Sequence, residues 1–262
     1  MTIGRGASSF SLDLMTRVAV FGAAGRMGST SVEALTEAEG IDVVACIDVA
    51  DDPQSAIAAG ADVALIFSTP DVALSHIKLC VDAGIHAVVG TSGFDEERQT
   101  EVTAMLQSAP GVGVLIVPNF SIGAVLLMSF AAAAAPYFES IEVLEMHHPD
   151  KIDAPSGTAV RTAEMMAESR AKAGSAAIPD ATSIDPQGAR GAQISGIPVH
   201  AIRARGFVAS QEVLFGNAGE LMSLRHDSTN RESFMPGVVA SVRAAGQTPG
   251  LTVGLDAILG LT

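Results

Sequence analysis

The sequence predicts an α/β fold in which a Rossmann-like, doubly wound parallel sheet is joined to an α+β domain with a mixed or antiparallel sheet. Over residues 17–120, short continuous apolar runs alternate with helical patterns, as is typical of parallel strands buried on both faces. From residue 140 onward, apolar and polar residues alternate instead, which is typical of a sheet with one covered face. The change of pattern predicts two domains.

The first domain is predicted from its apolar runs, which place strands at 17–21, 41–47, 63–67, 86–89 and 112–117. Between these strands, the segments 26–35, 76–83 and 96–107 have the apolar spacing of helices. In the second domain, residues 140–147 predict a strand and 158–173 a helix, followed by a loop over 174–196. Strands are predicted at 197–205, 207–215 and 221–226, and turns at Gly206 and at 216–219 predict that they form hairpins.

These patterns predict the domain boundaries. A helix over 233–244 has apolar spacing that favours a return to the first domain. We therefore expect the first domain to contain residues 17–122 and 227–262, and the second to contain 123–226. Residues 1–16 are expected to be a flexible N-terminal extension.

Composition narrows the function classes. The formal net charge of −14 argues against nucleic acid and anionic membranes as partners, because both attract basic surfaces. No apolar run reaches the roughly 18 residues of a membrane span, and residues 1–14 lack the pattern of a secretory signal. Cys46 and Cys80 give no disulfide framework, so we expect both thiols to lie in the core and the protein to be cytoplasmic.

A glycine-rich turn at 22–28 joins the first predicted strand to the first helix. Glycines allow the backbone to approach a pyrophosphate, and the helix N-terminus offers oriented N–H groups. Asp48 follows at the end of the second strand, about 20 residues later, where a carboxylate binds the ribose hydroxyls of a dinucleotide. The alternative is a tight turn beside a solvated carboxylate. The predicted cofactor contacts here are Gly22, Ala23, Ala24, Gly25, Arg26, Met27 and Asp48.

The residues after Asp48 bear on cofactor preference. A site for NADPH uses an arginine near the 2′-phosphate, but Val49 follows Asp48, and Asp51 and Asp52 would repel a phosphate. Arg26 offsets this only in part. We therefore expect NADH to be accepted at least as well as NADPH.

Loops after two further strands are predicted to contact the cofactor, because the carboxyl ends of parallel strands line the ligand crevice. As ordinary strand-to-helix connections they would need no such role. The residues concerned are Gly90, Thr91 and Ser92 in one loop, and Val117, Pro118, Asn119 and Phe120 in the other.

The segment 145–158 concentrates groups that transfer protons or bind anions. Histidine can transfer protons near neutral pH, and the segment contains His147 and His148. Lys151 can pair with an anion, and Gly157 and Thr158 begin a predicted helix with free N–H groups. Together they predict a site for an anionic substrate that receives a proton. A simple helix cap at residues 156–158 is an alternative that is compatible with binding. Half of a zinc site is a further alternative, but Lys151 would repel a cation, and no metal is predicted.

With these motifs in view, the chain from about residue 17 to its end resembles the dihydrodipicolinate reductase family. The resemblance rests on GAAGRMG (22–28), GTSGF (90–94), VPNFSIG (117–123), HHPDKIDAPSGTA (147–159) and RARGFVASQEVLFG (203–216). It implies NAD(P)H-dependent reduction of 4-hydroxy-tetrahydrodipicolinate, a small dicarboxylate, to tetrahydrodipicolinate in diaminopimelate and lysine synthesis. It also implies a first domain that binds the dinucleotide and a second that binds substrate and builds a homotetramer.

The resemblance also implies residue roles. His147 matches the family's proton donor or acceptor, Lys151 matches its proton donor, and His148, Gly157 and Thr158 match its substrate-carboxylate contacts. The residues of 22–27, 48, 90–92 and 117–120 match its cofactor contacts. Two positions depart from the family: Ser92 stands where a second threonine is common, and Val49 stands where NADPH-preferring members carry arginine.

Two other functions remain open on sequence grounds. The same scaffold supports other reductases, such as an amino-acid dehydrogenase. A redox sensor that binds a dinucleotide without turnover would need neither His147 nor Lys151. The remaining histidines, which we expect to make only local hydrogen bonds, are His76, His86, His200 and His226.

Overall fold

A computed structural model describes residues 15–91 and 93–261. The chain forms two compact units, the first from the described part of Met1–Ile116 with Val239–Thr252, and the second from Val117–Val238 with Val253–Thr262. These limits differ from the expected boundaries at 122/123 and 226/227. One reason is that helix α5 (Ile122–Ala134) packs against α6 (Gly157–Ala173), so the chain leading into α5 belongs to the second unit.

The first unit contains a six-stranded sheet of order β11-β5-β4-β3-β1-β2. Neighbours among β1 to β5 pair in parallel. The strands are β1 (Thr16–Phe21), β2 (Ile41–Ile47), β3 (Val63–Ile66), β4 (His86–Val89), β5 (Gly113–Ile116) and β11 (Gly250–Val253). Thr16 therefore belongs to β1 rather than to the predicted extension, and residues 1–14 of that extension lie outside the described residues.

The helices of this unit are α1 (Arg26–Glu37), α2 (Ser55–Ala58), α3 (Pro70–Asp82), α4 (Glu96–Leu106) and, from Val239 onward, α7 (Met235–Ala245). Every residue of β3 and β5 is buried, which confirms that the continuous apolar runs are central strands. α3 begins earlier than its apolar spacing predicts, because Pro70 fits the first turn of a helix. The doubly wound fold is thus confirmed.

The second unit contains a mixed five-stranded sheet of order β10-β9-β6-β8-β7. β6 and β8 pair in parallel, and the other neighbours pair antiparallel. The strands are β6 (Ser140–His147), β7 (Ala192–Ile194), β8 (Ile197–Arg203), β9 (Ala209–Asn217) and β10 (Glu220–Ser228). β7 lies within the predicted loop, where its three residues are too few to show a strand period.

The hairpin predicted at Gly206 is wrong, because β6 lies between β8 and β9. The connection crosses the carboxyl end of β6, where the N–H of Ala204 donates to the carbonyl oxygen of His147 at 3.1 Å. The hairpin predicted at 216–219 is confirmed by the β9–β10 register, in which Glu220 faces Asn217.

The two cysteines differ in environment. Cys80 is buried in α3, and burial raises its pKa to about 12. Cys46 is exposed on β2, so the expectation that both thiols lie in the core is wrong for it. β2 is an edge strand of the sheet, which leaves its side chains less covered than those of central strands.

Among the helices of the described chain, none combines the length and apolarity needed to cross a membrane.

Candidate active site

One face of the second sheet changes from apolar to polar along its strands. Phe215 and Val213 on β9 lie opposite Ile141 and Val143 on β6, and all four are fully buried with α5 and α6 in the core. Two residues further along each strand, the same face carries polar groups. The first of these rows contains Glu145, Gln211 and His226, and the next contains His147 and Ser228 with the small Ala209 between them. The apolar rows anchor the sheet on the helices, and the polar rows form a candidate site at its end.

His147 is held by a buried carboxylate. Its Nδ1 lies 2.6 Å from Oε2 of Glu145, whose side chain is 0% exposed. Arg203 donates to the same carboxylate twice, from Nη1 to Oε2 at 2.7 Å and from Nη2 to Oε1 at 2.8 Å. The backbone N–H of Ser156 also donates to Oε1. A bidentate arginine and a backbone donor thus compensate the buried charge of Glu145.

The surroundings shift both titrating groups. Burial raises the pKa of Glu145, but the hydrogen bonds from Arg203 and His147 outweigh it and hold the pKa below the ordinary value. Burial lowers the pKa of His147, the hydrogen bond and charge of Glu145 raise it in part, and the charges of Lys151 and Arg203 lower it again. The net result is an imidazole that loses its proton more readily than a free histidine, beside a carboxylate that stays ionised.

The start of α6 lies next to this network. The Ser156 hydroxyl accepts from the N–H of Ala159 at 3.2 Å, which confirms the cap. The first turn of a helix leaves further N–H groups without intrahelical partners, and Gly157 and Thr158 occupy it. A Cβ atom on Gly157 would have no heavy atom within 4 Å, so this turn is open to a ligand. The Thr158 hydroxyl accepts from Asn119 Nδ2 at 3.2 Å.

These groups line a cavity of about 40 Å³ in the second unit. Its lining residues are Asn119, Ser121, Ala124, His147, Ser156, Thr158, Ala209, Ser210, Gln211, His226, Ser228 and Phe234. His147 and Thr158 are therefore together at this cavity. Lys151, His148 and Gly157 are not among its lining residues, and Lys151 Nζ is paired with Asp153 Oδ1 at 2.7 Å.

Sequence reasoning overlooked several of these residues. Glu145 and Arg203 are far apart in the chain, and only the β6–β8 pairing brings them together. His226 makes the local hydrogen bond that we expected, to the hydroxyl of Ser121 at 3.2 Å, but it also lines the cavity. Alternation within each strand places Gln211 on the face of Val213 and Phe215, and His226 on the face of Leu224, so this signal was present in the sequence.

The first unit has a cavity of about 290 Å³ at the carboxyl ends of its strands. Its lining residues are Gly22, Gly25, Arg26, Met27, Gly28, Phe67, Ser68, Pro70, Gly90 and Thr91. Most of the predicted glycine turn and two residues of the 90–92 loop therefore share one cavity, whereas Ser92 lies outside the described residues. Phe67, Ser68 and Pro70 were not predicted, although they follow a strand at the same edge.

The glycine turn fits a pyrophosphate. A Cβ atom on Gly28 would lie 2.0 Å from the carbonyl oxygen of Gly22, and Gly22 itself has φ +75°. α1 begins after Gly25 with no side-chain cap, which leaves its first N–H groups to a ligand. Ala23 and Ala24 do not line the cavity; the N–H of Ala24 donates to Asp48 Oδ2 at 2.9 Å, which ties the turn to the end of β2.

The remaining predicted cofactor residues have other surroundings. Thr91 is buried and donates to the carbonyl oxygen of Ser68 at 2.8 Å, so its hydroxyl joins two loops. Val117 and Phe120 are buried in the second unit, Pro118 is exposed, and Asn119 lines that unit's cavity.

No cluster of metal-ligating side chains occurs in the described chain.

The fold defines a class: a two-domain chain with a Rossmann-type nucleotide-binding domain and a second, mixed-sheet domain that holds an imidazole at a cavity. Family models agree with this class, since "Dihydrodipicolinate reductase, N-terminus" matches residues 16–120 and "Dihydrodipicolinate reductase, C-terminus" matches 123–259. The chain belongs to the dihydrodipicolinate reductase family.

Individual relatives support this assignment. The chain is 53% identical over 245 residues to the 4-hydroxy-tetrahydrodipicolinate reductase of Streptomyces coelicolor, covering 94% of this chain and 98% of the relative. It is 55% identical over 248 residues to that of Thermobifida fusca, covering 94% and 100%. A solved dipicolinate-bound dihydrodipicolinate reductase from Paenisporosarcina sp. TG-14 superposes with a TM-score of 0.83 at 36% identity, over 93% and 99% of the two chains.

A more distant neighbour shows the fold alone. An amine dehydrogenase from Mycobacterium smegmatis matches with a TM-score of 0.62 at 13% identity, over 92% of this chain and 95% of that chain.

Proposed function

We propose that the chain reduces 4-hydroxy-tetrahydrodipicolinate to tetrahydrodipicolinate with NADH or NADPH, in diaminopimelate and lysine synthesis. The observation that supports this most is the His147–Glu145–Arg203 network, which provides a titratable imidazole at a cavity next to the start of α6. The names of the relatives supply the substrate.

In this proposal the start of α6 binds a substrate carboxylate. The N–H groups of Gly157 and Thr158 and the side chain of His148 are its donors, and the open space at Gly157 lets the carboxylate approach the backbone. The helix dipole favours the negative charge. Binding there orients the substrate relative to His147 in the adjacent cavity lining.

The chain's residues also deliver the proton. When bound, a nicotinamide dinucleotide supplies the hydride. The single proton comes from the His147/Lys151 site: the Lys151 ammonium donates it and stabilises the charge that develops on the substrate, and His147 assists the transfer or holds the substrate. Glu145 is a positioning residue, because it occupies Nδ1 of His147 and leaves Nε2 as the ring nitrogen available to substrate. Release of Lys151 from Asp153 is part of this proposal, since Nζ must reach the substrate.

The dinucleotide is proposed to bind at Gly22–Met27 with the loop of Gly90–Ser92, with its ribose at Asp48. The absence of a side chain at Gly28 and the uncapped start of α1 support this fit. Val117 to Phe120 complete the proposed contacts. Val49 is fully exposed beside Asp48 and offers no positive charge to a 2′-phosphate, which supports use of NADH at least as well as NADPH.

The test is to follow NADH and NADPH oxidation with substrate generated in situ by the preceding aldolase reaction. The proposal predicts rapid turnover with this substrate and none with a 2-oxo acid plus ammonia. Turnover only with the latter would favour an amino-acid dehydrogenase. Tight dinucleotide binding without turnover of either substrate would favour the redox sensor.

We also propose a cytoplasmic homotetramer in which the second sheets pack against each other. The sheet face opposite α5 and α6 carries Leu144, Ile202, Leu214 and Leu221, of which Leu221 is 75% exposed. Free thiols at Cys46 and Cys80 are consistent with the cytoplasm. Sedimentation equilibrium should report a tetramer that Leu221→Arg dissociates and that Ile184→Arg, at an exposed position outside this face, leaves intact.

A further inference from the structure

Two buried polar atoms, in residues that line the second unit's cavity, have no hydrogen-bond partner among the described residues. They are Oε1 of Gln211 and the hydroxyl oxygen of Ser228, in residues that are 6% and 3% exposed. Both residues line the cavity that also contains His147. An unpaired polar atom in the interior lowers stability unless a ligand or water satisfies it, so each such atom needs an explanation.

The orientation of the Gln211 amide follows from its neighbours. The hydroxyl of Thr162 lies 2.7 Å from the carbonyl oxygen of Thr158 and donates its single proton there. The amide atom of Gln211 that lies 2.8 Å from Thr162 Oγ1 must therefore be the NH₂ group. This leaves Oε1 as the buried atom without a partner, a fixed hydrogen-bond acceptor on a side chain that lines the cavity.

A fixed acceptor selects the kind of ligand group that it faces. A substrate carboxylate would repel Oε1, because both groups only accept hydrogen bonds. A hydroxyl group would donate to it. The cavity of about 40 Å³ has room for a group of that size but not for the whole dicarboxylate.

We propose that Gln211 Oε1 accepts a hydrogen bond from the 4-hydroxyl group of the substrate and that Ser228 completes this subsite. The inference rests on the proposed function, whose substrate carries that hydroxyl. Gln211 is thereby a specificity-determining residue, separate from the groups that transfer the proton. It lies across the β6–β9 pair from Glu145, so the subsite and the proton-transfer network share one strand face.

The test compares the 4-hydroxy substrate with dipicolinate in two variants, Gln211→Leu and Gln211→Met. The methionine keeps the unbranched shape of the glutamine side chain. Dipicolinate is the control ligand because it lacks the hydroxyl, and its inhibition also reports that each variant is folded. We expect KM for the 4-hydroxy substrate to rise about tenfold, with the inhibition constant of dipicolinate changed less than twofold. The matched control, Gln193→Leu on the exposed side of β7, should change neither value.

Two results would overturn the subsite. An equal rise in both constants would mean that Gln211 only shapes the cavity or holds a structural water. An unchanged KM would mean that no substrate hydroxyl reaches Oε1. In either case turnover by the unmodified protein still reports on the reductase proposal, so the two failures are distinguishable.

Discussion

The Nδ1 atom of His147 lies 2.6 Å from Oε2 of Glu145, a carboxylate that is completely buried and is also bound by both Nη atoms of Arg203. This arrangement determines which ring nitrogen remains available. Because Nδ1 is engaged, Nε2 is left for a substrate, and the neighbouring negative charge stabilises the imidazolium. Glu145 therefore acts through His147, and its loss should alter proton transfer without altering dinucleotide binding.

Glu145→Gln is the direct test of this relationship. The amide keeps the shape of the side chain but removes the charge that raises the pKa of His147, so this pKa should fall further below its ordinary value. We expect kcat to drop about 10²-fold, at the lower end of the range for general acid catalysis. NMR titration of the His147 ring measures the pKa. The matched control is Glu142→Gln, because Glu142 is on the same strand and also pairs with a histidine, His200. An unchanged His147 titration would refute the positioning role.

Val49→Arg should shift cofactor preference toward NADPH. The side chain at 49 is fully exposed beside Asp48, so an arginine can turn toward a 2′-phosphate without repacking the core. A new charge-assisted pair of about 1.5–3 kcal/mol corresponds to a gain of roughly tenfold or more in kcat/KM for NADPH relative to NADH. Ile57→Arg, also at an exposed position of the first unit, is the control for added charge. If the ratio of kcat/KM for NADPH to that for NADH is the same in Val49→Arg and Ile57→Arg, the 2′ position of the ribose lies away from Val49.

Gly28→Ala should disrupt the nucleotide turn. The added Cβ would lie 2.0 Å from the carbonyl oxygen of Gly22, and backbone on both sides must shift to relieve the overlap. We expect a loss of about 1–3 kcal/mol in unfolding free energy together with weaker dinucleotide binding. Gly111→Ala, where a Cβ would meet nothing within 4 Å, is the control and should be tolerated. Unchanged denaturant midpoint and NADH affinity in Gly28→Ala would contradict the close approach.

His86 should make stability depend on pH. Burial lowers its pKa, although the charge of Asp62 opposes this, and Nδ1 accepts a hydrogen bond from the N–H of Gly113 at 2.9 Å. With the folded pKa below the unfolded value of about 6.5, the contribution is fully present above pH 6.5 and is lost as the pH falls through the folded pKa. His86→Gln should therefore lose less unfolding free energy than the unmodified protein between pH 7.5 and pH 5. An equal loss would show that other groups account for the acid sensitivity.

Much of the first unit could be predicted because its signals are local. Continuous apolar runs identify buried parallel strands, and the glycine turn with Asp48 lies in one β-α-β segment. The loop containing Ser68 was overlooked because it carries no glycine signature, although it lines the same cavity as Gly22. β11 could not be predicted from its four residues, which join the sheet far along the chain from their neighbour β5.

In the second unit, sequence patterns within one segment of the chain predict only part of the site. The motif containing His147 and Thr158 was evident from sequence, and both residues line one cavity. Arg203 and Gln211 reach Glu145 only through strand pairing between segments that are distant in the chain, and the incorrect Gly206 hairpin would have paired β8 with β9 instead. The pattern within one strand predicts which face a side chain is on, but it does not say which distant strand lies beside it, and that pairing decides which side chains meet.

In the proposed reaction, the 147–151 segment protonates a substrate that is reduced by NAD(P)H. The most direct measurement is kcat for NADH oxidation by Lys151→Ala, with NADH affinity measured in parallel and with Lys172→Ala, an exposed lysine of α6, as the control. We expect kcat to fall about 10²- to 10⁴-fold in Lys151→Ala with NADH binding unchanged, and we expect near-normal activity in Lys172→Ala. Equal kcat in Lys151→Ala and the unmodified protein would contradict this expectation.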